Sequence, residues 1–303
     1  MGVELSVIIC SHNPRMEYLT RVLTALADQT LPKDRWELLL VDNRSDEPLA
    51  AKVDLQWQPN ARHVREERLG LTPARLAGVH AARSGLLVFV DDDNVLEPNY
   101  LASALDIGTQ WPMLGAWGGE IKPEFEIEPA SWTERYWPYL AIRKLEQDRW
   151  SNLRDQFDTA PTGAGMCVRR QVAERYARLI ENDKVRFHLD RKGGELTSCG
   201  DSDLAFTSND MGLGTGLFKS LRLTHLIPAG RLEEEYLLRL VRGISYSVAL
   251  LRALRGNRVP TKPSRSQRLM QGYVRLRLNQ RDRRFEDAAE AGKQAALQEI
   301  ATW

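Results

Sequence analysis

Asp91, Asp92 and Asp93 follow directly on the apolar run Leu86-Leu87-Val88-Phe89-Val90. Five apolar residues, two of them β-branched, read as a buried strand. Carboxylates stacked at its end repel one another unless they face water, take up protons or hold a cation. An oxygen-rich cluster suits a hard cation such as Mg²⁺ or Mn²⁺, and such ions commonly hold phosphates. A solvated turn before a helix near Pro98 would account for the same residues with no chemistry at all. Two further carboxylates, Asp201 and Asp203, sit in a polar stretch read as a loop from Arg191 to Asp203. His225 lies in a β-like run from Arg222 to Ile227.

The elements that must position these groups can be read from periodicity. Leu5 to Cys10 is a first apolar strand, ending in the polar turn Ser11-His12-Asn13-Pro14-Arg15. Residues Tyr18 to Asp28 carry Leu19, Val22, Leu23 and Leu26 at helical spacing. Glu37 to Val41 is a second strand ending at Asp42-Asn43, and Ala61 to Arg65 a short third. Pro73 to Ser84 reads as a helix closed by Gly85. Strands alternating with helices predict an α/β fold with a mostly parallel central sheet flanked by helices. In such sheets ligands bind beyond the carboxyl ends of the strands, where Ser11–Arg15, Asp42-Asn43 and Asp91–Asn94 would meet. Further on come the glycine turn Pro161–Val168, a helix from Gln171 to Asn182, and a long amphipathic helix from Glu233 to Leu254.

Bulk composition narrows the function classes. The chain has 303 residues and a formal net charge of +1. Between Arg231 and Arg284, about fourteen basic residues face four acidic ones, so the remainder is acidic. Cys10, Cys167 and Cys199 are odd in number and form no CxxC, which predicts neither a disulfide framework nor a zinc site. A cytoplasmic location fits, and no apolar run approaches a membrane span. The start matches a myristoylation pattern, but Leu5–Cys10 reads as a core strand. Asn43-Arg44-Ser45 matches a glycosylation acceptor, which in a cytoplasmic chain is coincidence.

Several of these segments, taken in order, resemble family 2 glycosyltransferases with the GT-A fold. They are Leu5–Arg15, Glu37–Asn43, Leu69–Gly78, Phe89–Asn94 and Cys199–Leu204, and the resemblance covers roughly residues 3–230. It implies a nucleotide-sugar donor, with UDP expected, and Mn²⁺ or Mg²⁺ as cofactor. Asn13 and Arg15 then hold the nucleotide, and Asp42 accepts a hydrogen bond from the base, as a carboxylate can from the ring N–H of uracil. Arg75 lies near the diphosphate. Asp91, Asp92 and Asp93 match the DXD motif, with Asp91 near the ribose, Asp92 in the middle and Asp93 on the metal. Asp201 matches the catalytic base, and Asp203 competes for that role. His225 matches a further metal ligand. The chain departs from the family at Gly200, where the common pattern has glutamate.

These matches predict an inverting transferase moving a hexose to a glycan or lipid-linked acceptor, as in polysaccharide biosynthesis. Residues 1–230 would form the catalytic domain and residues 231–303 a basic helical extension. Trp132, Tyr136 and Trp137 fall where the family varies its acceptor region; they either stack on sugars or pack an insertion. The helix Glu233–Leu254 either lies on an anionic membrane at its inner face or packs against the protein. Nucleic acid is not expected as a partner, since no RNA-binding motif accompanies the arginines. Two other readings stay open. One is a non-catalytic carbohydrate-binding scaffold, which Gly200 would permit. The other is a Mg²⁺-dependent phosphotransfer enzyme, although its nucleophile would normally end the first strand, where Ser11-His12-Asn13 stands.

Overall fold

A computed structural model describes residues 2–187, 189–191, 196–257, 270, 273, 275 and 277–303. The basic linker-like stretch past Arg255 lies largely outside these residues, as does His188. A nine-stranded sheet organises the chain in the order β3-β2-β1-β4-β8-β6-β9-β5, with β7 added on β9. Its strands are β1 (Leu5–Ser11), β2 (Trp36–Asp42), β3 (Ala61–Arg65), β4 (Leu86–Asp91), β5 (Asn94–Leu96), β6 (Leu114–Phe125), β7 (Arg149–Ser151), β8 (Cys167–Arg169) and β9 (Gly214–Ile227). The long ladders β3-β2-β1-β4 and β6-β9 are parallel, and the short ones made by β5, β7 and β8 are antiparallel.

The apolar runs are continuous because helices cover both faces of the sheet. Leu5, Val7 and Ile9 pack with α1 (Met16–Ala27) and α3 (Tyr100–Gln110) on one face. Ile8, Leu39 and Val41 pack with α2 (Leu71–Ala81), α4 (Arg170–Glu181) and α6 (Gly200–Asp210) on the other. A short helix, α5 (Lys184–Phe187), follows α4. Two long helices complete the molecule, α7 (Glu234–Leu254) and α8 (Gln280–Ile300).

One expectation changes, and two alternatives are decided in favour of packing. Asp201 and Asp203 lie in the first turn of α6, not in a loop. Carboxylates favour that position because they face the unpaired amides at a helix N-terminus. The apolar face of α7 is not offered to a membrane: Leu237, Leu240, Val241 and Leu251 are buried in the molecule. Part of the basic surplus is consumed beside it, where Arg281 pairs with Glu234 at 2.8 Å and Arg284 pairs with Glu234 and Glu235. Among the described residues no helix is long and apolar enough to cross a membrane. Finally, Tyr136 stacks on Phe285 of α8 at 3.8 Å, Trp132 lies 6.2 Å from the same ring, and Trp137 packs on Phe125. Tyr136 and Trp132 thus anchor α8 and Trp137 packs on the sheet, which is the packing alternative.

Candidate active site

The parallel register sets Ser11 beside Asp42 and Cys10 beside Asp91, so three strand ends share one edge of the sheet. A cavity of about 470 Å³ opens beyond that edge. Asp91, Asp92 and Asp93 line one side, Arg75 and Asp201 another, and Ile244 and Val248 of α7 contribute an apolar wall.

Within the aspartate triplet the three side chains have different partners. Asp91 is pushed up by burial and by Asp93. Asp92 accepts a hydrogen bond from the Ser11 hydroxyl, and burial together with Asp93 raises it to about 7. Asp93 is only 7% exposed, and burial alone would raise it. His225 and Arg231 outweigh that burial and hold its carboxyl well below the usual range. Asp93 Oδ2 lies 3.3 Å from His225 Nε2 and 3.1 Å from Arg231 Nη1. The two residues expected to hold a metal are therefore neighbours, but a guanidinium stands on both.

Asp201 projects from the N-terminus of α6 into the cavity. Its Oδ2 accepts from the Gly163 amide at 2.8 Å and its Oδ1 from the Ser202 amide at 2.7 Å. The glycine turn Pro161–Ala164 thus fixes one carboxylate oxygen. Gly163 has no room for a side chain, since a Cβ there would lie 2.2 Å from Arg75 Nη2. Arg75 is not a solvated helix charge. It is 8% exposed, donates to Asp190 Oδ2 at 2.9 Å and lies over the Phe89 ring at 5.8 Å. Asp203 cannot compete as a base: it is fully buried and gripped by Arg186 at 2.6 Å and Arg255 at 3.1 Å.

The expected nucleotide residues divide. Asn13, Arg15 and Asp42 do not line the cavity. Asn13 sits in the left-handed region (φ 47°) and braces the amide of Asp46 at 2.9 Å. Arg15 is exposed and pairs with Glu126 at 3.2 Å. Asp42 is saturated by the protein, accepting from the amides of Ser45 (2.9 Å) and Leu49 (3.0 Å) and from Arg65 (2.7 Å). Its neighbour Asn43 reaches the cavity instead and ties the strand end to the Gly70 amide at 2.8 Å.

Four contributors were not picked out from sequence. Asp190, Arg143, Arg231 and Thr162 all line the cavity, and the Thr162 hydroxyl is buried without a hydrogen-bond partner. Only Arg231 had a usable signal, its place six residues after His225 at the end of a strand. Asp190 also explains Gly200. A Cβ at that position would fall 2.2 Å from Asp190 Oδ2, so the space of a side chain there is already filled by another carboxylate.

Comparisons with known proteins agree with this architecture. A sequence model described as glycosyl transferase family 2 matches residues 6–176. Polypeptide N-acetylgalactosaminyltransferase 3 of Drosophila melanogaster is 34% identical over 91 residues, 28% of this chain and 14% of that protein. Glycosyltransferase AglE of Haloferax volcanii is 30% identical over 92 residues, 29% of this chain and 30% of that protein. The chain therefore matches less than a third of either relative's length. Among solved structures, S. aureus TarS 1-349 superposes with a TM-score of 0.53 at 16% identity, covering 98% of this chain and 82% of that one. The same fragment in complex with UDP-GlcNAc gives a TM-score of 0.52 at 14% identity, covering 98% and 83%. At such identities the likeness establishes the fold.

Proposed function

The chain belongs to glycosyl transferase family 2, and on that premise we propose that it transfers a sugar from a nucleoside diphosphate sugar, UDP being the nucleotide of choice, to a hydroxyl of a glycan or lipid-linked acceptor. One observation carries the reading: Asp201 is held by the Gly163 amide across a 470 Å³ cavity from the aspartates that end β4. Asp201 acts as general base. One oxygen is fixed by an amide, and the carboxylate faces the space where an acceptor hydroxyl would enter. Taking that proton lets the acceptor oxygen attack the anomeric carbon as the diphosphate leaves. A single displacement of this kind inverts the anomeric configuration.

Asn43, Asp91 and Asp92 line the donor side, and Asp42 serves it indirectly by fixing the turn that carries Asn43. Thr162 offers an uncommitted hydroxyl to the sugar. Residues 1–230 supply most of the donor side, and residues 231–303 add Arg231 beside Asp93 and an apolar acceptor wall through Ile244 and Val248. An apolar wall suits a lipid-linked acceptor. A lipid-linked acceptor would in turn put the site of action at the cytoplasmic face of a membrane.

A divalent cation does not fit the residues as they stand, because both groups expected to ligate it are bonded to Arg231. No step is assigned to a metal. The scaffold reading rested on Gly200, and the Asp190 carboxylate at that place removes its motive.

The test is release of UDP from UDP-sugars, with and without acceptor. Asp201→Asn should abolish release and leave UDP binding intact. A protein that binds no nucleotide, or an Asp201→Asn variant with full turnover, would refute the proposal.

A further inference from the structure

Arg231 stands where its presence changes the chemistry of the donor side. It sits on the 3₁₀ turn Ala229–Leu232 that follows β9. The turn is pinned at both ends: the Ala229 amide donates to Glu126 Oε2 at 2.7 Å, and Leu232 is buried. The Arg231 amide also closes onto the Pro228 carbonyl at 2.9 Å. The guanidinium is therefore delivered by fixed backbone, and it is 25% exposed, facing the cavity it lines.

A single nitrogen makes two contacts. Arg231 Nη1 lies 3.1 Å from Asp93 Oδ2 and 3.0 Å from His225 Nε2. His225 Nδ1 lies 3.0 Å from the Leu140 carbonyl, which can only accept, so the ring proton belongs on Nδ1. In the neutral ring Nε2 offers a lone pair, and Arg231 Nη1 is the donor within reach of it. Nη1 thus hydrogen-bonds to the imidazole and stands as an ion pair beside the carboxylate. These two groups hold the same lone pairs that a divalent cation would need. Among the described residues no group of three or more His, Cys, Asp and Glu is placed to hold a metal ion.

A leaving diphosphate carries charge that must be met. Arg75 is committed to Asp190, so it brings little free charge to the cavity. Arg231 is fixed beside the triplet, and a guanidinium presents five donors in a planar fork suited to phosphate oxygens. Nη1 faces Asp93 and His225, and Nη2 and Nε carry three further donors.

We infer that Arg231 replaces a divalent cation in this chain: it joins Asp93 to His225 and receives the donor diphosphate. This rests on the proposed use of a nucleoside diphosphate sugar. Donor binding then needs no metal. It also follows that removing the guanidinium uncovers a cation site, because Asp93 and His225 remain 3.3 Å apart with their lone pairs released.

Two measurements on the full chain test this. The first is UDP binding by calorimetry in EDTA and in millimolar Mn²⁺, for wild type and Arg231→Ala. Wild type should bind equally in both. Arg231→Ala should bind about 10–100-fold more weakly in EDTA, the scale of lost charge-assisted hydrogen bonds, and recover with Mn²⁺. The second is Mn²⁺ alone, followed by electron paramagnetic resonance. Wild type should leave Mn²⁺ free, Arg231→Ala should bind it, and Asp93→Asn in that background should lose it again. Wild-type UDP binding that disappears in EDTA would overturn the inference, as would Mn²⁺ binding by wild type that Asp93→Asn abolishes. If wild type binds no UDP in either condition, the donor reading fails, and the Mn²⁺ measurement still decides the role of Arg231.

Discussion

Gly200→Ala tests whether Asp190 fills the place of a side chain at residue 200. The added Cβ would lie 2.2 Å from Asp190 Oδ2, 2.4 Å from Cγ and 2.7 Å from Oδ1. Asp190 has little freedom to retreat. It is 6% exposed, its Oδ2 accepts from Arg75 at 2.9 Å and its Oδ1 from the Gly200 amide at 3.1 Å. Overpacking of this kind costs about 1–3 kcal/mol. Forcing the carboxylate off Arg75 would leave a buried cation unpaired, at about 3–5 kcal/mol. The lower range corresponds to a fall in melting temperature of roughly 2–12 °C, at about 2–4 °C per kcal/mol for a large domain. Helix propensity alone points the other way, since alanine in a helix is favoured over glycine by about 1 kcal/mol. The sign of the change therefore separates the two effects. Thermal melts of Gly200→Ala, Asp190→Ala and the double variant close a mutant cycle. In the Asp190→Ala background the three crowding atoms are gone, so the coupling should be on the order of 1–3 kcal/mol. A Gly200→Ala variant that melts at or above wild type refutes the reasoning, as does an equal loss in both backgrounds.

Other outcomes follow from the same geometry. Asp201→Asn should lower kcat by about 10²–10⁴, the usual range for a general base, with UDP affinity unchanged in calorimetry. Asp203→Asn should destabilise by about 3–5 kcal/mol in denaturant titration, because Arg186 and Arg255 lose a buried counter-charge. Burial pushes Asp42 up, but the amides of Leu49 and Ser45 and the Arg65 guanidinium outweigh it, leaving its pKa lowered. A depressed folded pKa adds stability that is present above the unfolded value and lost as pH falls through the folded one. Asp42→Asn should thus destabilise at pH 7, and its deficit should shrink below about pH 4 in melts across that range. Phe285→Ala should cost about 3–5 kcal/mol by removing the ring stacked on Tyr136.

Much of the architecture was legible because the strands are buried on both faces. Val7–Cys10, Leu38–Val41 and Leu86–Val90 are unbroken apolar runs, and a run of that kind ends where the chain leaves the core. The edge of the sheet at Ser11, Asp42 and Asp91 could therefore be placed before any coordinates. What periodicity could not supply is direction across space. Asp42 and Asn43 are adjacent, yet only Asn43 reaches the cavity, because Ser45, Leu49 and Arg65 consume the aspartate. Arg15 looked like a nucleotide ligand and is drawn instead to Glu126, over a hundred residues away. Asp190 lacks a local pattern of its own, and its role exists only once Arg75 and Gly200 are brought to it. The short strands β5, β7 and β8 have three residues each, too few to show alternation.

The stack of Tyr136 on Phe285 has a consequence for the order in which the protein becomes functional during synthesis. The segment carrying Tyr136 also carries Tyr139 and Leu140, which line the cavity, and Tyr136 is stacked on Phe285 of α8. About seventy residues separate residue 230 from the end of α8. At a synthesis rate of about 5–20 residues per second, that interval lasts roughly 4–14 s. Throughout it, the strands that carry the aspartates can already be paired while the opposite wall lacks its stack on Phe285. A chain arrested before residue 280 should therefore capture nucleotide better than it turns donor over, because the wall opposite the aspartates is held less firmly.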